Sequence, residues 1–313
     1  MSVTTWASGL MFPEGPVLMP DGSIIVSELL GNKVTQVWPD GTKKVIAEPE
    51  GMPNGLAFGP DGFLYCANMG GLLNTGVLGS MPGVDVARLA YRGGSIQRID
   101  VATGECTDIL THCDGHGLRA PDDLVFDSSG GFWFTDIGVS DHDSRKSDET
   151  GIYYVPADMS TATRVIRSMV PTNGIGISPD GSRLYWTEYL TGRLFMRRIT
   201  APGVLADPDV PFGDCIFTHP LPITWFDSLT VGANGEIAVA VHNGTPQGRS
   251  GVITFSPEGE EVHFMAFDDD WTTHVLFAFE GEPTAFVTLS GTGRLVSTPW
   301  HYHQARPLFG PRR

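Results

Sequence analysis

The chain has 313 residues, with 36 acidic against 20 basic side chains and a formal charge of -16 at pH 7. Charged residues make up 18% and hydrophobic ones 41%, which is too apolar for a disordered chain, and the 39 Gly and 23 Pro follow no collagen-like period. The acidic excess argues against a nucleic-acid or anionic-membrane partner, because phosphate contact needs clustered Lys and Arg. It fits neutral or cationic ligands, or a bound metal.

Residues 1–10 lack the basic start and apolar stretch of a secretory signal. No apolar run reaches the ~18 residues of a membrane-spanning helix. Cys66, Cys106, Cys113 and Cys215 are widely spread and match no zinc motif. They read as reduced, mostly buried thiols, which gives a cytoplasmic expectation.

In chain order, six short turns each stand between two β-prone runs. Residues 16–19 and 24–26 flank Asp21-Gly22; 56–58 and 63–65 flank Asp61-Gly62; 124–126 and 132–134 flank Ser129-Gly130. Residues 175–177 and 184–186 flank Asp180-Gly181; 229–231 and 237–241 flank Asn234-Gly235; 275–279 and 285–287 flank the weaker Gly281-Glu282. Asp-Gly or Asn-Gly between such runs is a strong hairpin signal. Successive turns are 40, 68, 51, 54 and 47 residues apart, the size of a four-stranded propeller blade. The run after each turn is apolar at successive positions, as expected when both sheet faces are covered. Further strands at 33–38, 95–99, 152–155, 194–199 and 252–255 complete the blades. The reading is all-β: one six-bladed β-propeller of four-stranded antiparallel blades over residues 1–313.

Seven positions before each turn stand Glu14, Asn54, Asp122, Asn173, Asp227 and His274. A shared register along the innermost strand fixes depth, so these side chains are expected to converge around the central channel. The alternative is that they only cap strand ends at the channel mouth. Three carboxylates converging without a cation would repel. Glu14, Asp122 and Asp227 with the amide oxygen of Asn173 form an all-oxygen set suited to a hard cation such as Ca²⁺, Mg²⁺ or Mn²⁺. Asn54 adds a ligand or faces substrate. His274 ligates, moves a proton, or is a hydrogen-bonded channel histidine.

Pro13-Glu14-Gly15-Pro16, Pro53-Asn54-Gly55-Leu56, Pro121-Asp122-Asp123-Leu124, Thr172-Asn173-Gly174-Ile175 with Ser178-Pro179-Asp180-Gly181, and Phe226-Asp227-Ser228-Leu229 together resemble the SMP-30/gluconolactonase family over nearly the whole chain. The resemblance implies a six-bladed propeller with one divalent ion in the channel, calcium before Mg²⁺, Mn²⁺, Zn²⁺ or Fe²⁺. It places the metal-binding Glu on Glu14, the later Asn on Asn173 and the Asp on Asp227, with Asp122 beside them. The family's Pro-Asn-Asp motif has Asp122 here, and His274 stands where many relatives have Asn.

The resemblance also implies hydrolysis of a lactone, with organophosphate hydrolysis known in similar propellers. Asp227 takes the role of base toward the attacking water, with Asp122 or His274 as competitors. Asn54, Asp122 and Arg119 are the substrate-binding candidates, although Arg119 does not match the family's arginine in position. The alternatives are a phosphotriesterase in the same cavity and a non-catalytic, metal-stabilised propeller that binds a partner. Oligomeric state is not legible.

The second-strand ends, with Glu28, Asn68, Asp136, Glu188 and His242-Asn243, are expected to reach the face of the channel ligands. Inserts at 69–94 and 138–150 follow two of them and shape that face; Met69, Leu73 and Met81 offer an apolar lid. Trp225 and Phe12 build an aromatic wall or pack the core. Asp268-Asp269-Asp270 reads as a solvated turn. No Gly-x-Ser-x-Gly element supports a serine nucleophile.

Overall fold

The computed structural model describes residues 2–71, 89–141, 146–148, 150–208, 214–218, 224–243 and 248–312. Six antiparallel sheets surround a central channel. Each begins with an innermost strand: Pro13–Leu18, Pro53–Phe58, Pro121–Phe126, Thr172–Ile177, Trp225–Val231 and Thr272–Phe277. These six strands touch one another in cyclic order, which closes the ring. The second strands are Ile24–Glu28, Leu64–Asn68, Phe132–Asp136, Arg183–Glu188, Ile237–His242 and Thr284–Leu289. The six-bladed propeller expected from the turn spacing is therefore the fold. Blade 4 departs slightly, because its third strand Arg193–Ala201 pairs with two short outer strands, Val204–Leu205 and Cys215–Thr218.

Blades form because the second strands are apolar on both faces. Ile24 and Val26 pack toward Leu276 and Phe286 of blade 6, whereas Ile25 packs toward Leu56 and Phe58 of blade 2. Period-two alternation thus delivers each strand to two different cores. Six such cores fill the six blade-to-blade gaps. The gap between blades 2 and 3 is rich in aromatic rings, with Tyr65 edge-on to Phe126 at 5.0 Å and Phe134 stacked on Tyr153 at 4.9 Å. The four cysteines are free thiols; burial raises Cys106 to about 11 and Cys113 to about 12.

The hairpin turns follow one scheme. In blade 1, Met19 N–H bonds Ser23 O at 2.8 Å and Gly22 N–H bonds Met19 O at 2.9 Å. This leaves a three-residue loop whose Gly22 has φ +81°, the left-handed value a bulged hairpin requires. The Asp21 carboxylate accepts from Ser23 N–H at 3.0 Å. The same backbone pair of bonds recurs in blades 2, 3 and 5, and blade 4 has it with one more residue in the loop, from Ser178 N–H to Arg183 O, so the sequence signal marks a longer loop rather than a two-residue one.

Ring closure comes from the N-terminus. Blade 6 has only three strands of its own, and Thr4–Ala7 supplies the fourth by pairing with Arg294–Pro299. Trp6 fastens it, donating to Ser297 Oγ at 3.0 Å and meeting Phe286 edge-on at 5.0 Å. At the other end, residues after Pro299 cross the face that carries the hairpin turns. Gln304 bonds blade 6 and Phe309 meets Phe126 at 5.7 Å, while Arg312 lies 3.6 Å over Phe63 in blade 2.

The inner ring is close-packed. A Cβ on Gly174 would sit 2.5 Å from Leu229 N and 2.8 Å from Asp227 O, both backbone atoms of the next blade. Gly174→Ala is expected to cost about 1–3 kcal/mol by overpacking, read as a lower urea midpoint at unchanged slope. A midpoint equal to wild type would show that the ring yields at this point.

Candidate active site

Each innermost strand slips register against its second strand at the same place. The irregularity falls between Glu14 and Val17, Pro53 and Leu56, Pro121 and Leu124, Thr172 and Ile175, Phe226 and Leu229, and Thr272 and His274. Asn54, Asp122, Asn173 and Asp227 lie inside these bulges, and Glu14 and His274 stand at their edges. A bulge re-aims a side chain and frees backbone groups. Second-strand hydroxyls bind those groups and tie neighbouring blades. Thr135 Oγ1 accepts from Asp123 N–H at 3.2 Å and donates to Asn173 O at 2.5 Å. Thr187 Oγ1 accepts from Gly174 N–H at 2.8 Å and donates to Asp227 O at 2.9 Å. Ser290 donates to Pro13 O at 2.6 Å.

The six register residues are all buried, with Glu14 and Asp122 each 3% exposed and Asp227 6%. Asn54 Nδ2 donates to Asp122 Oδ2 at 3.0 Å and approaches Met69 Sδ at 3.6 Å. His274 Nδ1 lies 3.7 Å from Glu14 Oε2. His242 Nε2 lies 3.2 Å from Asp227 Oδ2. The Asn173 side chain hydrogen-bonds Asp227. Burial, then the charge of Glu14, raises the Asp122 and Asp227 carboxyls well above the usual range, and each of those two also feels other carboxylates.

The donor chemistry fits a hard divalent cation. Three buried carboxylates lie within one another's field, and the Asn173 Oδ1 among them is buried without a hydrogen-bond partner. Among the described residues, no group of three or more His, Cys, Asp and Glu side chains is arranged to hold a metal ion. The metal reading therefore rests on the four-donor set that includes the Asn173 oxygen.

The second-strand ends do reach the face of the channel ligands, pairing with Pro13, Pro53, Pro121, Thr172 and Trp225, but most of their side chains serve the loops there. Glu28 accepts from Met11 N–H at 2.7 Å, and Asn68 Oδ1 accepts from Met52 and Gly70 N–H at 2.9 and 2.8 Å. Asp136 accepts from Arg119, Ala120 and Gly138 N–H. Their oxygens cap the loops that lead into and out of the ring. His242 alone of this group faces a channel residue, and register counting on the inner strand missed it. The signal was present as a lone aromatic base among Glu, Asn, Asp and Glu.

An aromatic wall flanks Asp227. His242 stacks on Trp271 at 4.5 Å, with Trp225 at 5.5 Å and Tyr189 at 5.2 Å. Phe12 meets Trp271 at 5.7 Å. Arg119 lies over Tyr91, 5.8 Å from the ring centre, and its carbonyl accepts from the Tyr91 hydroxyl at 2.9 Å. Leu73 and Met81 lie outside the described residues. Asp269 is not part of a solvated turn: it is buried and accepts from Trp271, Gly291 and Thr292 N–H, which fixes Trp271 against the wall.

These pKa directions give a testable pH response. In chelator, Asp122, Asp123, Asp136 and Asp227 hold protons in the folded chain that the unfolded chain has released. Their contribution is complete below pH 3.8 and is lost as pH rises through the folded values, about 6 for Asp123 and Asp136. His242, lowered to about 3 by burial, acts oppositely and destabilises as pH falls below 6.5. A divalent ion replaces the ring's protons, so the gain in Tm on adding Ca²⁺ is expected to be large near pH 8 and to fade toward pH 5. An equal gain at both ends would contradict the site. Asn173→Ala is expected to raise the Ca²⁺ Kd at least ~10-fold by calorimetry.

The family model described as the SMP-30/Gluconolactonase/LRE-like region matches residues 12–291. A protein named lactonase drp35 from Staphylococcus haemolyticus (strain JCSC1435) is 30% identical over 259 residues, 80% of this chain and 67% of the relative. Among solved structures, a gluconolactonase from Xanthomonas campestris superposes with TM-score 0.71 at 20% identity, covering 95% of this chain and 89% of that one. A calcium-binding protein, regucalcin, from Agrobacterium tumefaciens str. C58 superposes with TM-score 0.69 at 18% identity, covering 98% of both chains. At these identities the superpositions speak for the fold alone, while the family match spans most of the sequence. The chain belongs to the SMP-30/gluconolactonase/LRE-like family.

Proposed function

We propose that this chain is a lactonase: a hydrolase that opens a sugar lactone or a related small cyclic ester with one divalent cation as cofactor. Calcium is the first choice, with Mg²⁺, Mn²⁺, Zn²⁺ and Fe²⁺ as alternatives. The observation that carries the reading is the burial of Glu14, Asp122 and Asp227 within one another's field, with an unpartnered Asn173 oxygen on the residue that contacts Asp227. The lactonase drp35 relatives support the substrate class.

Glu14, Asn173, Asp227 and Asp122 would hold the ion, which when bound supplies the charge that polarises the ester carbonyl and stabilises the oxyanion. Asp227 is the base. Its Oδ2 faces His242, so Oδ1 takes the proton from the attacking water. Asn54 holds Asp122 Oδ2, leaving Oδ1 for the ion or the substrate. His274 is the second proton-transfer candidate, toward the departing alkoxide. Arg119 and Asn54 are assigned to substrate binding at the rim. The partner is a small molecule rather than nucleic acid or membrane; no helix among the described residues is long and apolar enough to cross a membrane. The four unpaired thiols support a cytoplasmic setting.

Hydrolysis of D-glucono-δ-lactone and simpler lactones, followed by proton release with the spontaneous rate subtracted, tests the reading. Activity is expected to vanish on chelation and to return with one divalent ion. Asp227→Asn is expected to lower kcat by ~10²–10⁴-fold; full activity in that variant removes Asp227 from the mechanism. The aromatic wall favours a second reading, phosphotriester hydrolysis, which gains if a simple phosphotriester turns over and every lactone fails.

A further inference from the structure

We propose that His242 is the positioning residue for Asp227: its Nε2, 3.2 Å from Asp227 Oδ2, is the group that engages that oxygen in the working site and holds the carboxylate with Oδ1 turned to the reacting water. This rests on the reading of Asp227 as base and ligand.

The first argument is comparison between blades. The last residue of each second strand pairs with the first residue of its innermost strand or its counterpart there: Glu28 with Pro13, Asn68 with Pro53, Asp136 with Pro121, Glu188 with Thr172, His242 with Trp225 and Leu289 with Thr272. In blades 1 to 3 this residue caps loop backbone. In blade 4, Glu188 accepts from the Thr191 hydroxyl at 3.0 Å. Blade 6 has an apolar Leu289 and gives the capping task to Asp269. Blade 5 breaks the scheme with an imidazole that caps nothing.

The second argument is its isolation. His242 has 0% exposure, and neither ring nitrogen has a hydrogen bond of good geometry. Among the described residues, the polar atom within reach is Asp227 Oδ2, 3.2 Å from Nε2. A buried polar ring without a partner is destabilising, so a cap-forming residue there would be more stabilising; engagement of Asp227 accounts for the imidazole.

The third argument is rigidity. Trp271 stacks on the ring at 27°, Trp225 meets it edge-on at 88°, and Tyr189 leans on it at 51°. Three aromatic neighbours from blades 4, 5 and 6 fix the ring plane, and an imidazole held in plane fixes the carboxylate it bonds. Outer-shell partners of this kind act through orientation.

The test compares His242→Phe, which keeps a flat ring without the donor, with His242→Gln, whose amide N–H reaches the Nε2 position. Lactone turnover and Ca²⁺ binding by calorimetry are both measured. The Phe variant is expected to lose ~10–100-fold in kcat with KM within about twofold, and to bind Ca²⁺ ~10-fold more weakly. The Gln variant is expected to recover most of both. A Phe variant equal to wild type in kcat and Ca²⁺ affinity overturns the proposal. So do Phe and Gln variants that are slowed alike. If wild type opens no lactone but Ca²⁺ affinity falls in Phe and returns in Gln, the reaction reading fails and the positioning role stands. Should the Phe variant not fold, His242→Asn, with its N–H at the wrong position, takes its place with the same expectations.

Discussion

Burying Glu14, Asp122 and Asp227 within one another's field demands either bound protons or an opposing charge. The two nearby histidines do not balance three acids: His274, 3.7 Å from Glu14, is a single base, and the desolvated His242 resists protonation. Ordinary ion pairing with Lys or Arg would quench the site and leave nothing for a ligand. A divalent cation would satisfy the carboxylates and the Asn173 oxygen together, and would give the ring a chemical purpose. Much of the propeller can be understood as the apparatus that keeps these groups in place.

That apparatus is local at each blade and global through closure. A bulge turns each register residue inward, and a Thr or Ser from the neighbouring second strand pins the freed backbone. Glycines such as Gly174 let adjacent innermost strands approach until backbone meets backbone. The apolar cores between blades set the spacing, and Thr4–Ala7 ties the last blade to the first residues of the chain. Displacing blade 3, 4 or 6 would therefore disturb the neighbouring blade's member of the ring as well as its own.

The periodic parts of this design were legible in the sequence. Turn residues recur with flanking apolar runs because every blade solves the same packing problem, and a fixed distance from turn to channel carried Glu14, Asn54, Asp122, Asn173, Asp227 and His274 into one register. The features that escaped are those with no period. The four residues of Thr4–Ala7 have no local signal for pairing with a strand almost 300 residues away, as the 291-residue separation of Trp6 and Ser297 illustrates. The hydroxyl ties of Thr135 and Thr187 look like ordinary β-propensity. Glu28, Asn68 and Asp136 looked like site carboxylates and amides, but loop backbone needs acceptors and takes them. Asp269 was hidden in a run of three acids, only one of which is buried. His242 sat beside its counterparts without the distance to Asp227 that gives it meaning.

Anomalous diffraction from a crystal soaked in Mn²⁺ tests the central claim most directly. The account predicts one strong peak in the channel, contacted by Glu14, Asp227 and the Asn173 Oδ1, with Asp122 alongside. A channel without a peak, or an ion held only at Asp268 and Asp270 on the outer loop, would contradict it.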